Sequence, residues 1–510
     1  MADGLQTNLG GLVQRERDLD KTAFIDLSGV GPDTDGQPHR YSHRAMDELA
    51  NAVARGLRAR GLERGNAVAI VAENSVAYFA AYMGILRAGL VAVPVNYKQP
   101  LKTIEHILTD SETRLILADA DRAGVCPDTY PVISLDGSSA DDFAGLLDPG
   151  PFEIVSPEPE ETAMILYTSG STGMPKGVLL SHEGQLFALS RWEGDRAELA
   201  RQRLLIAAPQ YHMNALFISK MALYMNATAV LMPRFKADDY IRAISEYAVT
   251  WVTSVPTMLA LAVREKETLA ASDLSSVERL SMGSAPLTEA LFDEVQSHFP
   301  TANVSNFYGT TEHGPSAFGA HPDGLARPKL SLGYAAPGME LRLVGGPDEN
   351  TGVLEARSPS NLTGYKNLPE KMAEVVVDGW YHTKDVMTRD ENGFYFITGR
   401  EDDMFVCNGE NVFPGDVERL LEMHPDIDQA SVVPLEDPVR GHAPIAFVVP
   451  VAGHEIDEAA IQHYARENGP AFQFPRSVIT LDEMPLAGTN KIDRGMLMQM
   501  AAEGNLTAKA

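Results

Sequence analysis

The chain has 510 residues, 44% hydrophobic and 22% charged, and its 42 Lys+Arg against 70 Asp+Glu leave a net charge of −28. That length predicts more than one domain, because single cores rarely grow beyond about 250–300 residues. The acidic balance argues against a general nucleic-acid binder, which clusters Lys and Arg against phosphates, and against a polybasic membrane anchor.

From the N-terminus, Met1-Ala-Asp-Gly4 opens with neither a basic nor an apolar signal segment. Leu49, Val53 and Leu57 recur every four residues and predict a helix that Gly61 ends. Residues 68–72 read as a short apolar strand. The most apolar stretch, 76–95, is broken by Gly84, Arg87 and Gly89. A bilayer span needs about 20 predominantly apolar residues, so this stretch reads as a buried helix followed by a buried strand. Further strands are expected at 164–168, 204–208, 229–232, 249–254, 279–282 and 304–308, with helical patterns between most of them. Such alternation predicts parallel sheets covered by helices, with ligands beyond the carboxyl ends of the strands.

The texture changes over 332–397, where glycines become frequent and β-type runs are short (341–344, 353–356, 394–397). A smaller β-subdomain is expected there. The polar run Gly399-Arg-Glu-Asp-Asp403 precedes a last block of helix and strand. The fold class is therefore α/β with an α+β C-terminal part. A large N-terminal domain, 1–401, precedes a small domain, 402–510. Two cysteines, Cys126 and Cys407, make neither a disulfide framework nor a C-x-x-C zinc pattern. Reduced thiols and a cytoplasmic location fit that count.

After the strand at 164–168 comes Ser169-Gly-Ser-Thr-Gly-Met-Pro-Lys176-Gly177. Glycines let backbone N–H groups form an anion-binding nest. The hydroxyls of Thr168, Ser169, Ser171 and Thr172 add donors, and Lys176 adds a full charge. Met174-Pro175 separates Gly173 from Lys176, so this is not a Walker A loop.

The stretch Tyr167-Thr-Ser-Gly-Ser-Thr-Gly-Met-Pro-Lys-Gly-Val178 resembles the signature of the adenylate-forming superfamily. That superfamily includes acyl- and aryl-CoA synthetases, peptide-synthetase adenylation domains and luciferases. The resemblance continues through Gly283-Ser-Ala-Pro-Leu287, Tyr308-Gly-Thr-Thr-Glu312, Trp380-Tyr-His-Thr-Lys-Asp385, Gly399-Arg-Glu-Asp-Asp403 and Asn490-Lys-Ile492. It covers nearly the whole chain.

The resemblance implies an enzyme that joins a carboxylic acid to AMP and then passes the acyl group to a thiol, with ATP, Mg2+ and coenzyme A. Bringing a carboxylate against an anionic phosphate demands positioning and charge neutralisation. By resemblance Lys491 is the adenylation lysine, and Glu312 holds Mg2+. Thr310 and Thr311 donate to phosphate or AMP oxygens, and Tyr308 stacks on adenine. Gly283, Ser284, Ala285 and Gly309 let backbone approach the ligand. Asp385 takes the ribose hydroxyls, and Arg400 adds a ribose or phosphate contact. Lys384 stands where the family has Gly, which implies that no positive φ is required there and that Lys384 is an exposed side chain. His212 lines the acyl and thiol route as a gate. Asp402 is the hinge of a mobile C-terminal domain whose Gly409, Glu410 and Asn411 reach coenzyme A, with Cys407 as packing.

The acid pocket is expected from Tyr211, Met213, Asn214, Phe217, Val255, Met282 and His313. This set suits a short or medium aliphatic acid or a monocyclic aryl acid. Asn214 and His313 are expected to satisfy backbone groups. About twenty residues follow Lys491, too few for an attached carrier domain, so coenzyme A is the expected acceptor. A stand-alone enzyme loading a carrier protein is the alternative. A non-catalytic ATP sensor would lack Lys176, Glu312 or Lys491, and all three are present. Neither a nucleic-acid partner nor a membrane span is expected.

Overall fold

A computed structural model of the chain describes residues 7–30, 37–124, 126–136, 142–168, 174–192, 196–285, 287–315, 317–407, 410–437, 441–470, 474–487 and 491–503. The helix carrying Leu49, Val53 and Leu57 spans His43–Ala59. Ser42 caps it by accepting from the Ala45 N–H at 3.1 Å, and the chain leaves it through Arg60 and Gly61. The apolar stretch at 76–95 is a helix, Val76–Arg87, buried at every position, followed by the buried strand Val91–Pro94. Among the described residues no helix is long and apolar enough to cross a membrane.

Two seven-stranded sheets dominate. One runs Asn303–Phe307, Arg279–Gly283, Trp251–Ser254, Arg203–Ile206, Thr228–Leu231, Thr22–Asp26 and His39–Ser42, parallel except at the last pairing. The other places Thr162–Thr168 beside Val91–Pro94 and continues in parallel through Ala67–Val71 to Val132–Ser134. Beyond Thr162–Thr168 it turns antiparallel, through Lys176–Ser181 to Gly364–Tyr365. The expected strands are all present, with ends moved by up to four residues. One apolar core joins the two sheets through Val76–Arg87 and the helix Met213–Tyr224.

The glycine-rich region is a five-stranded antiparallel sheet built on Thr351–Arg357 and Trp380–Arg389. The last block forms its own five-stranded sheet and cores. Its long hairpin pairs Ile427–Asp437 with Gly441–Pro450, and Cys407 is buried among Phe405, Val412 and Ile427.

Arg87 is 0% exposed, and its charge is met on all sides. It donates to Gly10 O at 2.7 Å, Asp47 O at 2.8 Å, Asn51 Oδ1 at 2.6 Å and Asp47 Oδ1 at 2.7 Å. It thus ties the N-terminal segment to two packed helices. Removing one partner of a buried ion pair costs about 3–5 kcal/mol, and Asp47 keeps a second partner in Arg15. Arg87→Leu is therefore expected to lower unfolding free energy by about 3 kcal/mol in urea titration; a loss under about 1 kcal/mol would contradict this role.

Candidate active site

The phosphate-loop motif is the connection of an antiparallel hairpin, with Thr168 opposite Lys176 in register. Ser169, Ser171 and Thr172 lie outside the described residues. Lys176 opens the strand Lys176–Ser181, and its ammonium sits 5.3 Å from the centre of the Tyr365 ring. Burial lowers its pKa, Lys371 adds to that, and Glu312 opposes it. Tyr365 also donates to Glu312 Oε1 at 3.2 Å. This tyrosine, absent from the sequence reading, touches both charged groups. Its only sequence signal is a Gly-Tyr pair, which the sheet carries to the edge of Lys176–Ser181.

Residues 308–315 leave the strand Asn303–Phe307 in a tight turn. His313 N–H donates to Thr310 Oγ1 at 3.0 Å, and Leu362 N–H donates to Glu312 O at 2.6 Å. A Cβ on Gly309 would sit 2.6 Å from Pro315 Cα, so only glycine fits. The Tyr308 hydroxyl donates to Asp385 Oδ2 at 2.5 Å.

Asp385 and Arg400 face each other across Trp380–Arg389 and Tyr395–Arg400. Arg400 donates to Asp385 Oδ1 at 3.0 Å and grips Asp402 at 2.8 and 3.1 Å. Burial raises the Asp385 pKa and Arg400 opposes the rise. Lys384 has φ +65°, so this position is left-handed after all, and a glycine would relieve it. Its side chain is half-buried, pairing with Asp402 Oδ2 at 3.3 Å. Both expectations for Lys384 are thus corrected: the strand must turn sharply to present Asp385 inward.

A narrow cavity of about 20 Å3 lies beside the carboxyl end of Arg279–Gly283, where the acid pocket is expected. Asn214, Phe217 and Gly283 line it. Trp192, Ile218, Trp251, Thr253, Ser254, Ser281, Phe307 and Pro315 complete it. Met282 and Val255 pack instead into the second large core. For Met282 the reason is strand alternation: with Ser281 and Gly283 on the cavity face, Met282 faces away. Met213 sits in the main core, and His313 is buried with Nδ1 2.7 Å from Asn361 Oδ1. Asn214 Oδ1 accepts from Thr253 at 3.3 Å. Both polar candidates therefore meet side chains rather than backbone. A Cβ on Gly283 would strike Phe307 O at 2.1 Å, so this glycine answers to the neighbouring strand. Ser284 follows at φ +66°, an uncommon conformation for serine, and turns the chain out of the sheet toward Ala285.

Tyr211 packs edge-on to Tyr97 and to the His212 ring, with centroids 5.4 and 4.6 Å apart. Burial lowers the His212 pKa to about 4, and Lys491 then Lys98 add to the shift, so the ring is neutral near pH 7. Lys491 thus lies within electrostatic reach of His212, and equally of Asp385 and Arg400. Desolvation lowers its pKa although the residue keeps an exposed surface; Asp385 opposes the shift and Arg400 adds to it. Among the described residues, Arg419 donates to Ile397 O and Thr398 O at 3.5 Å, and further contacts lie elsewhere on the small domain. Leu486 lines a cavity with Tyr97, Arg122, Met258 and Leu261, and Arg264 pairs with Asp428. Glu410 is exposed on the strand Glu410–Val412, which pairs with Phe405–Cys407. Gly409 and the Asn411 side chain lie outside the described residues. No cluster of His, Cys, Asp or Glu among the described residues could hold a metal by itself.

The family model for AMP-binding enzymes matches residues 13–366, and that for the AMP-binding enzyme C-terminal domain matches 416–491. The chain belongs to the AMP-binding enzyme family. Among curated members, it is 31% identical over 481 residues to the fatty acid–[acyl-carrier-protein] ligase ScoC of Streptomyces coeruleorubidus, covering 89% of this chain and 90% of that protein. It is 30% identical over 467 residues to a feruloyl-CoA synthase of an Amycolatopsis species, covering 88% and 92%. Among solved members, the crystal structure of ATP-bound MatB from Rhodopseudomonas palustris matches with a TM-score of 0.87 at 27% identity, covering 97% of this chain and 99% of that one.

The Arg264–Asp428 pair is surface-exposed, and such pairs contribute about 0.2–1 kcal/mol. Arg264→Glu is expected to raise the limited-proteolysis rate within 401–404 about two- to fivefold, and Asp428→Arg in the same chain to restore it. An unchanged rate in the single variant would remove this pair from the docking account.

Proposed function

We propose that the chain is an AMP-forming acid:CoA ligase. It converts a carboxylic acid and ATP to an acyl-adenylate and pyrophosphate, then transfers the acyl group to coenzyme A and releases AMP. The observation that supports this reading is that Lys491 of the C-terminal domain lies within electrostatic reach of Asp385, Arg400 and His212. Its ammonium is placed to neutralise the acid's attacking oxygen and the α-phosphate together as charge shifts between them. Lys176 meets the outgoing phosphates, and Asp385, aligned by Arg400 and Tyr308, accepts from the ribose hydroxyls. The Tyr308 ring and the 283–285 turn flank the adenine. Thr168, Thr310 and Thr311 offer hydroxyls to phosphate oxygens.

A lone carboxylate beside the phosphates suits Mg2+, which is commonly held by one or two carboxylates plus substrate oxygens. Glu312, kept in place by Tyr365, fits that role. The ion supplies charge stabilisation on the departing phosphate oxygens.

The second step needs Lys491 withdrawn and a thiol admitted. Asp402, gripped by Arg400 and Lys384, divides the chain into domains 1–401 and 402–510 and serves as the hinge. Rotation there carries the strand Glu410–Val412, which Gly409 precedes in the sequence, toward the coenzyme. Neutral His212 then yields the acyl carbonyl to the thiol. A cytoplasmic location suits dependence on ATP and coenzyme A. The relative that loads an acyl-carrier protein supports a second reading, in which the thiol belongs to a carrier protein.

Removing one transition-state donor costs about 2.7–4 kcal/mol. Lys491→Ala is therefore expected to slow acid-dependent pyrophosphate release by about 10²–10³-fold while sparing thioester formation from supplied acyl-adenylate. The pKa of Lys491 is lowered, so its charged form is lost at a lower pH than for a free lysine. Adenylation should accordingly fall on an alkaline limb below the ordinary lysine range, a limb missing from the thioester step. Equal damage to both half-reactions in stopped-flow assays would refute this division of labour.

A further inference from the structure

We infer that Gln210 is a positioning residue for acyl transfer: with Asn74 it locks the backbone of residues 208–210 and thereby fixes where the Tyr211–His212 pair stands when coenzyme A enters. This inference rests on the acid:CoA ligase reading and adds a residue on which the second half-reaction depends.

Residues 207–212 connect the strand Arg203–Ile206 to the helix Met213–Tyr224. They leave the carboxyl end of a parallel strand, the edge where ligands bind in such sheets. Connections there are commonly the mobile part of a fold, yet this one is pinned. Gln210 is 0% exposed. Its N–H donates to Asn74 Oδ1 at 2.6 Å, its Oε1 accepts from the Ser75 N–H at 3.3 Å, and its Nε2 donates to Ser219 Oγ at 3.0 Å. Ser219 in turn donates to Ala215 O at 2.9 Å, so the segment is tied to the helix that follows it. Asn74 uses its other end on two strand ends, donating from Nδ2 to Ala208 O at 2.9 Å and to Met232 O at 3.0 Å. Breaking one bond in such a buried cluster leaves a polar group unpartnered, which is costly. The cluster therefore holds one arrangement.

The pair that follows has no such hold on its side chains. The Tyr211 hydroxyl and His212 Nε2 are buried with no hydrogen-bond partner among the described residues. The two rings pack edge-on to each other, and Tyr211 packs edge-on to Tyr97. Those rings can turn, while the backbone leading into them cannot. Gln210 thus fixes the point about which the gate turns. Pro209 and Tyr97 also line the interdomain cavity of about 340 Å3 that Leu486 of the small domain reaches, so a shift of this segment alters the route as well as the rings. None of the bonds of Gln210 or Asn74 goes to Lys176, Glu312, Asp385 or Arg400. Loss of the clamp should accordingly fall on acyl transfer rather than on adenylation.

The test separates the half-reactions in Gln210→Met, which keeps the length and loses both side-chain bonds, and in Ser219→Ala, which removes one partner. Butanoate, hexanoate, benzoate and cinnamate are screened by pyrophosphate release, and the best of them is carried forward both as free acid and as its adenylate. Gln210→Met should lower kcat/KM for coenzyme A in thioester formation from the supplied adenylate about tenfold, and change pyrophosphate release less than about threefold. Ser219→Ala should move the thioester step in the same direction by about threefold. The double variant should be no worse than Gln210→Met alone, because both changes remove one clamp. Arg87→Leu, which weakens the fold at the other end of the helix Val76–Arg87, is the control and should leave the ratio of the two half-reactions as in wild type. The inference is overturned if Gln210→Met damages both half-reactions equally, if it leaves thioester formation unchanged, or if the losses multiply in the double variant. Should Gln210→Met fail to fold, Ser219→Ala decides by the same ratio. If wild type releases pyrophosphate with no acid, aliphatic or aromatic, or passes no acyl group to coenzyme A, the acid:CoA ligase reading fails and takes this inference with it.

Discussion

The contact on which the site depends is the pairing of Asp385 with Arg400 across two antiparallel strands. It is local in space, since register alone sets it, yet it serves both domains. Arg400 holds Asp385 at one end of its guanidinium and Asp402 at the other. The same cation thus steadies a buried carboxylate and the first residue of the small domain. Lys491 arrives at this pair from the tail. The problem is mutual repulsion between two anionic reactants, and the remedy is cations placed beforehand in a region partly stripped of water.

Backbone strain is spent around the same spot. Lys384 and Ser284 both take positive φ, and Gly283 and Gly309 tolerate carbonyl and ring atoms that a Cβ would strike. These features sit where strands of two different sheets deliver side chains toward one point. Away from them the architecture is conventional: buried helices between two large sheets, with Arg87 as a fully partnered charge in the core.

Much of this was legible in the sequence, for physical reasons that differ by residue. The loop around Lys176, the turn carrying Glu312 and the strand running through Asp385 announce themselves because each needs several special residue types in consecutive positions. The acid pocket did not, because it is assembled from single residues on separate strands and a helix. Met282 was misplaced by one step of strand alternation, while its neighbours Ser281 and Gly283 line the cavity. Tyr365 escaped notice because its importance comes from an antiparallel pairing between segments far apart in the chain. Lys384 departs from expectation for a simpler reason: a non-glycine residue implies an ordinary φ, whereas the fold imposes the left-handed conformation and lysine tolerates it.

The central claim is that the tail lysine and the large domain share one arrangement that serves adenylate formation and must come apart for acyl transfer. Tethering Leu261→Cys to Leu486→Cys with a short bifunctional thiol reagent tests it directly, since both positions line the same interdomain cavity and the native Cys126 and Cys407 are buried. The tethered protein should still release pyrophosphate in one acid-dependent turnover and should form no thioester until the tether is cleaved. Thioester formation at the untethered rate, or loss of pyrophosphate release on tethering, would contradict the account.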